Sequence, residues 1–151
     1  MNQIIKINQL GQLKNREEIV LVGGCFDILH LGHTTFLEEA KKMGKILVIL
    51  LESDETIKKL KGENRPINRQ IDRAEMLTKL KMVDYVVMLP ELKDNQDYVD
   101  LIKKISPKII ATSGNDEKIE LKKQESKIVG AKLVEVIKRI PKYSTSRMIK
   151  P

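Results

Sequence analysis

The residues of this chain best suited to chemistry fall in one stretch, Gly23-Gly24-Cys25-Phe26-Asp27-Ile28-Leu29-His30-Leu31-Gly32-His33. An apolar run at 19–22 leads into the paired glycines, and a helical pattern covers 33–43. The order is strand, tight loop, helix, and the histidines fall where the first-turn N–H groups are free. A helix N-terminus carries roughly +0.5 charge and unpaired donors, so it favours an anion. Two imidazoles added there make a site for a phosphate that reacts. Gly23 and Gly24 let the backbone turn and come close to a bound group.

Other segments complete the set. Leu60-Lys61-Gly62-Glu63-Asn64-Arg65-Pro66 follows the second strand, then come Arg73 and Val83-Asp84-Tyr85-Val86-Val87. Near the end stands Arg139, followed by Ser144-Thr145-Ser146. Lysine supplies a point charge and arginine a fork for two phosphate oxygens. The hydroxyls at 144–146, at the start of a final short helix, suit the outer phosphates of a nucleotide or serve as a plain N-cap.

Taken together, Gly-x-Phe-Asp, His-x-Gly-His, Lys-Gly-x-x-Arg-Pro and the terminal Ser-Thr-Ser resemble the cytidylyltransferase-like nucleotidyltransferases, from about residue 10 onward. The Lys-Gly-x-x-Arg-Pro segment is most similar to the adenylyltransferase domain that makes ADP-heptose from heptose 1-phosphate. Glycerol-3-phosphate cytidylyltransferase and archaeal FAD synthetase are more distant. The resemblance implies transfer of an NMP moiety, AMP from ATP, to a small phosphorylated acceptor such as a sugar 1-phosphate. The acceptor's phosphate attacks in line and pyrophosphate leaves. CTP with a polyol phosphate and FMN adenylylation are the alternatives within the family. A non-catalytic nucleotide- or nucleic-acid-binding protein is the alternative outside it.

Residue by residue, the resemblance implies His30, His33 and Lys61 as catalytic groups. Gly24, Cys25, Phe26, Gly32, Gly114, Asn115, Arg139, Ser144, Thr145 and Ser146 join the histidines around the nucleotide. Asp27, Lys61, Arg65 and Arg73 face the acceptor. Several of these stay open on the residues alone: Asp27 could instead close an Asx-turn, Lys61 and Arg65 could be an exposed basic loop, and Arg73, inside a helix, could instead form a surface salt bridge. Cys25 has no base beside it in sequence and lines the pocket rather than attacking. Three departures from the family pattern bear on the acceptor: Lys45 where relatives often carry aspartate, Ser113-Gly114-Asn115-Asp116 in place of paired glycines before the aspartate, and Pro141-Lys142-Tyr143 where a glycine is usual.

Composition narrows the classes. The 151 residues carry 41% hydrophobic content, enough for one domain with a sizeable core, expected to cover 1–151. Aromatics make up 3%, which removes the stacking platforms of single-stranded nucleic-acid binders. The net charge of +7 favours anionic partners, but the lysines are spread along solvent faces without a nucleic-acid reading motif. No Gly-x-Gly-x-x-Gly is present, which disfavours a nicotinamide cofactor. The lone cysteine excludes an internal disulfide, and residues 1–13 lack a secretory apolar core, so a cytoplasmic protein with no membrane span is expected. No histidine, cysteine and carboxylate cluster has metal-ligand spacing, so no metal ligand is assigned and Mg²⁺ is expected to arrive with the triphosphate. The resemblance also implies a homodimer.

These side chains need a scaffold, and hydrophobic period supplies it. Strands are expected at 19–22, 46–51, 85–89, 108–111 and 132–137. Helices are expected at 33–43, from 53 or 54 to 60, and at 67–81, 98–105 and 116–129. Alternation of strands and helices predicts an α/β fold, a doubly wound, Rossmann-like parallel five-stranded sheet with helices on both faces. In such sheets ligands bind beyond the carboxyl ends of the strands. The loops at 23–33, 53–54, 112–116 and 139–146 should therefore meet on one rim, with Gly114 near the base.

Overall fold

The computed structural model describes residues 3–114 and 116–138. The expected site residues Asn115, Arg139, Ser144, Thr145 and Ser146, the segment 141–143 and the final short helix lie outside the described residues.

Among the described residues six strands form one sheet: β1 (Gln3–Lys6), β2 (Ile19–Gly24), β3 (Ile46–Leu51), β4 (Tyr85–Met88), β5 (Ile109–Ser113) and β6 (Lys132–Ile137). Their spatial order is β1-β4-β3-β2-β5-β6, and every neighbouring pair is parallel. The expected doubly wound α/β sheet is present, with six strands rather than five. The additional strand, β1, reads Gln-Ile-Ile-Lys and buries only Ile5. Four residues with two apolar neighbours show no alternation. The strand exists because it docks in register on β4, Gln3 beside Tyr85 through Lys6 beside Met88.

Among the described residues five α-helices connect the strands from β2 onward: α1 (Leu31–Lys41), α2 (Asp54–Lys61), α3 (Gln70–Thr78), α4 (Asn95–Ile105) and α5 (Ile119–Val129). Strand side chains alternate between faces. Val20, Val22, Leu47, Ile49 and Leu51 pack with Leu37 and Ala40 of α1 and with Ala74 and Leu77 of α3. Ile19, Leu21, Val48 and Leu50 pack on the other face with Leu101, Ile102 and Ile105 of α4. Two covered faces explain why β3 is apolar throughout.

Local chemistry sets the helix limits. Ser53 caps α2 by accepting the Thr56 amide at 3.1 Å, and Gly62 ends it at φ 103°, a conformation open to glycine. Asp94 caps α4 through the Asp97 amide at 3.0 Å, so this helix begins three residues before the expected start at 98. Helix α3 begins three residues late because the Ile67 and Asn68 amides bond the Asp27 carboxylate instead of joining it.

From β2 the chain builds outward through β3 to β4, then crosses to the opposite side of β2 for β5 and β6. The loops after β2 and β5 therefore diverge at the carboxyl rim. That is the switch point at which open α/β sheets leave a crevice.

Candidate functional site

His30 is the N-cap residue of α1, and its carbonyl accepts the Thr34 amide at 3.2 Å. Its side chain does not cap the helix. Instead its ring stacks on that of His33, centroids 3.8 Å apart and planes 21° from parallel. The His33 ring also lies 5.2 Å from the Phe26 ring, tilted by 58°. Both histidines are half-buried, and Gly32 sits between them in the first turn. The two imidazoles thus stack at the first turn of α1, just past the end of β2.

Phe26 sets this arrangement from below. It is buried, it joins the core cluster of α1 and α3, and its backbone is left-handed at φ 46°. A Cβ on Gly24 would stand 2.8 Å from the Phe26 ring, so Gly24 makes room for the ring. Phe26, expected at the nucleotide, is a support for His33 because the core claims its side chain. A non-glycine residue at positive φ stores strain of about 1–3 kcal/mol, which the packed ring holds in place.

Asp27 neither contacts open space nor closes a turn within its own loop. Its carboxylate accepts Arg65 Nε at 2.8 Å, the Ile67 amide at 2.8 Å and the Asn68 amide at 2.9 Å, while its carbonyl accepts Asn68 Nδ2 at 2.7 Å. Burial alone would raise its pKa, but the Asn68 and Ile67 amides and the Arg65 guanidinium outweigh that and hold the carboxyl below the ordinary range. Asp27 therefore staples the 65–68 loop to the histidine loop. Arg65 is also buried, and its Nη2 has no hydrogen-bond partner among the described residues.

Arg73 is a correction to both readings of it. Its side chain is fully buried, so it is no surface ion pair. It donates to the carbonyls of Cys25 at 2.8 Å, Glu52 at 3.0 Å and Asn68 at 3.0 Å, and to Asp54 Oδ1 at 2.6 Å. These acceptors lie on three separate loops. Arg73 holds the rim together from within and does not face an acceptor.

Lys61 ends α2 on the exposed side, and its charge acts on the Cys25 thiol. Burial nonetheless raises the Cys25 pKa, against the opposing pull of Lys61. A neutral thiol is a poor nucleophile, in keeping with a lining role.

Three residues near Cys25 were not anticipated: Glu52, Tyr98 and Lys118. Glu52 directly follows the apolar run of β3, and its amide extends the β2–β3 pairing by donating to the Gly24 carbonyl at 3.1 Å. Both its carboxylate oxygens accept the Tyr98 hydroxyl, at 2.8 and 3.0 Å. Burial raises the Glu52 pKa, against the Tyr98 hydrogen bond and the charges of Lys118 and Arg73. Burial and the neighbouring carboxylate likewise push the Tyr98 hydroxyl upward. A charged residue placed immediately after a fully apolar strand is the sequence signal that marks Glu52. Tyr98 and Lys118 carry no such signal, because they arrive from α4 and the start of α5.

Past β5, Thr112 donates to Asp116 at 2.7 Å, and Asp116 also accepts the Lys118 amide at 2.8 Å and the Lys122 ammonium. Burial opposes ionisation of Asp116, but Lys122, Thr112 and the Lys118 amide hold its pKa low. Gly114 was expected to let a base approach. A Cβ there would meet the Glu135 carboxylate at 2.9 Å and the Lys138 backbone at 3.2 Å, so on that side the close approach is made by the end of β6.

The structure thus brings His30, His33, Gly24, Gly32, Cys25 and Lys61 to the rim of β2 and β3. It places Phe26, Asp27 and Arg73 beneath them as supports. Among the described residues, no group of three or more histidine, cysteine and carboxylate side chains is arranged to hold a metal ion.

The model of the cytidylyltransferase-like family matches residues 21–150. The bifunctional protein HldE of Aliarcobacter butzleri is 40% identical over 145 residues, covering 96% of this chain and 28% of that protein. HldE of Wolinella succinogenes is 40% identical over 152 residues, covering 99% and 30%. The chain therefore spans under a third of the length of these curated relatives. Among solved structures, a lipopolysaccharide core biosynthesis protein from Thermoplasma volcanium aligns with a TM-score of 0.62 at 29% identity, covering 81% of this chain and 95% of that one. A pantoate-beta-alanine ligase from Francisella tularensis shares the fold, with a TM-score of 0.69 at 17% identity over 93% of this chain and 69% of its own. With stacked histidines at the switch point of a parallel sheet and a family match across residues 21–150, the chain belongs to the cytidylyltransferase-like family of nucleotidyltransferases.

Proposed function

We propose that this chain transfers AMP from ATP to a small phosphorylated acceptor of the sugar 1-phosphate class and releases pyrophosphate. The observation that carries the reading is the His30–His33 stack at the first turn of α1, on the rim where the β2 and β5 loops part. Donors fixed before the reaction stabilise charge as it grows on the α-phosphate, typically by roughly 10²–10³ in rate for each donor. The acceptor's own phosphate serves as nucleophile, so a half-buried Cys25 whose pKa is raised by burial is no obstacle. Lys61, exposed at the end of α2, meets an incoming phosphate. The unpartnered Arg65 Nη2 is a second donor suited to the acceptor's phosphate.

Magnesium enters with the triphosphate and neutralises its charge while keeping mostly phosphate and water ligands. In this reading residues 1–151 act as one nucleotidyltransferase domain, in a homodimer and in the cytoplasm. Among the described residues no helix is long and apolar enough to cross a membrane. The choice of ATP over CTP follows from the resemblance of residues 60–66 to the heptose adenylyltransferases. A pyrophosphate-release assay with each nucleoside triphosphate, run against heptose 1-phosphate, glycerol 3-phosphate and FMN, tests the whole reading. Release with ATP and a sugar 1-phosphate is expected. CTP-dependent release with glycerol 3-phosphate would move the enzyme to the cytidylyl branch.

A further inference from the structure

Glu52 is a half-buried carboxylate at the carboxyl end of β3, next to Gly24 and Cys25 of the histidine loop. A carboxylate offers about four lone-pair positions. Among the described residues its one hydrogen-bond donor is the Tyr98 hydroxyl, which its two oxygens share. Arg73 directs its donors to the Glu52 carbonyl and to Asp54 rather than to the carboxylate. Among the described residues the fold thus half-buries this carboxylate and gives it one neutral hydrogen-bond donor. A carboxylate kept only for stability would be better replaced by its amide, which makes the same hydrogen bond without the cost of burying charge. The position is also informative. The Glu52 amide bonds the Gly24 carbonyl, so the carboxylate stands at the carboxyl end of β3 beside the histidine loop, where the charges of Lys61, Arg73 and Lys118 act on the neighbouring Cys25 as well. The cations suit a phosphate. The carboxylate suits hydroxyl donors and repels a second anionic group.

Resting on the nucleotidyltransferase reading above, we propose that Glu52 is the specificity-determining residue for the acceptor: it accepts hydroxyl groups of a polyhydroxylated, phosphorylated substrate at the end away from the phosphate. Tyr98 is its positioning residue, holding both carboxylate oxygens from α4. The acceptor class is then a sugar or polyol phosphate whose distal end is uncharged.

The test uses the full chain with ATP, a set of sugar 1-phosphates and their monodeoxy analogues, reading pyrophosphate release. A hydrogen bond to a charged group corresponds to a roughly ten- to hundred-fold effect. Glu52→Gln is expected to raise the acceptor KM by that factor while the ATP KM stays within about two-fold. With the wild type, one deoxy analogue should lose a similar factor, and Glu52→Gln should erase that penalty. Tyr98→Phe should raise the acceptor KM less, since the carboxylate remains but is no longer held. The Gln variant should melt at or above the wild-type temperature. The proposal is overturned if Glu52→Gln leaves the acceptor KM unchanged, raises the ATP KM equally, keeps the full deoxy penalty or loses the folded state. A wild type that turns over normally beside an unaffected variant overturns this assignment alone. A wild type that releases no pyrophosphate with any acceptor overturns the parent reading and this one with it.

Discussion

Asp27 and Arg65 form an ion pair of 2.8 Å between Oδ2 and Nε, with the aspartate side chain fully buried and that of the arginine 6% exposed. Through it the loop that carries the histidines is bound to the loop that follows α2. Removing one partner of a buried pair leaves an uncompensated charge, at about 3–5 kcal/mol. Asp27→Asn should therefore lower the free energy of unfolding by that order, read as a lower urea midpoint with an unchanged slope. An unaltered midpoint would mean that the staple contributes nothing to the fold.

The pH dependence of stability follows from the same residue. The folded state lowers the Asp27 pKa, so at acidic pH the unfolded chain binds the additional proton. The stabilisation is complete above the ordinary carboxylate value of about 4 and is lost as pH falls through the lower folded value. Asp116 acts in the same direction. Thermal melts should show a steep loss of stability below about pH 4. In Asp27→Asn that loss should be shallower, because one of the carboxylates whose pKa the fold lowers is gone.

His30→Ala and His33→Ala should each reduce turnover by at least roughly 10²-fold. The rings are half-buried and stacked on each other, so the fold should survive, with near-native far-UV circular dichroism. Near-wild-type pyrophosphate release in either variant would remove the catalytic role.

Arg73→Lys separates support from contact. Lysine cannot span the carbonyls of Cys25, Glu52 and Asn68 and also reach Asp54. Stability should fall by about 3 kcal/mol. Low concentrations of a stabilising osmolyte should restore the acceptor KM, which would not happen if the guanidinium itself bound the acceptor. The check is acceptor KM against melting temperature across an osmolyte series.

ATP should bind more tightly than CTP at equal Mg²⁺, as measured by calorimetry. Tighter CTP binding would reassign the base.

Much of this protein can be read along the chain. Apolar runs at 19–22 and 46–51 read as strands covered on both faces, and glycine, histidine and helix onset at 23–33 mark a strand, tight loop and helix start at the end of the first of them. These features depend on neighbours in sequence, and neighbours determine period, turns and caps. Other features were decided in three dimensions. Strand β1 is too short to show a pattern and forms only because β4 presents an edge to it. Phe26 and Arg73 belong to recognisable motifs, yet packing draws one ring into the core and one guanidinium under three loops, where desolvation requires that every donor find a carbonyl or carboxylate. Glu52 and Tyr98 stand 46 residues apart and meet because β3 and α4 share a face of the sheet. Sequence determines which groups are available. Burial against distant elements decides which of them are left facing a substrate.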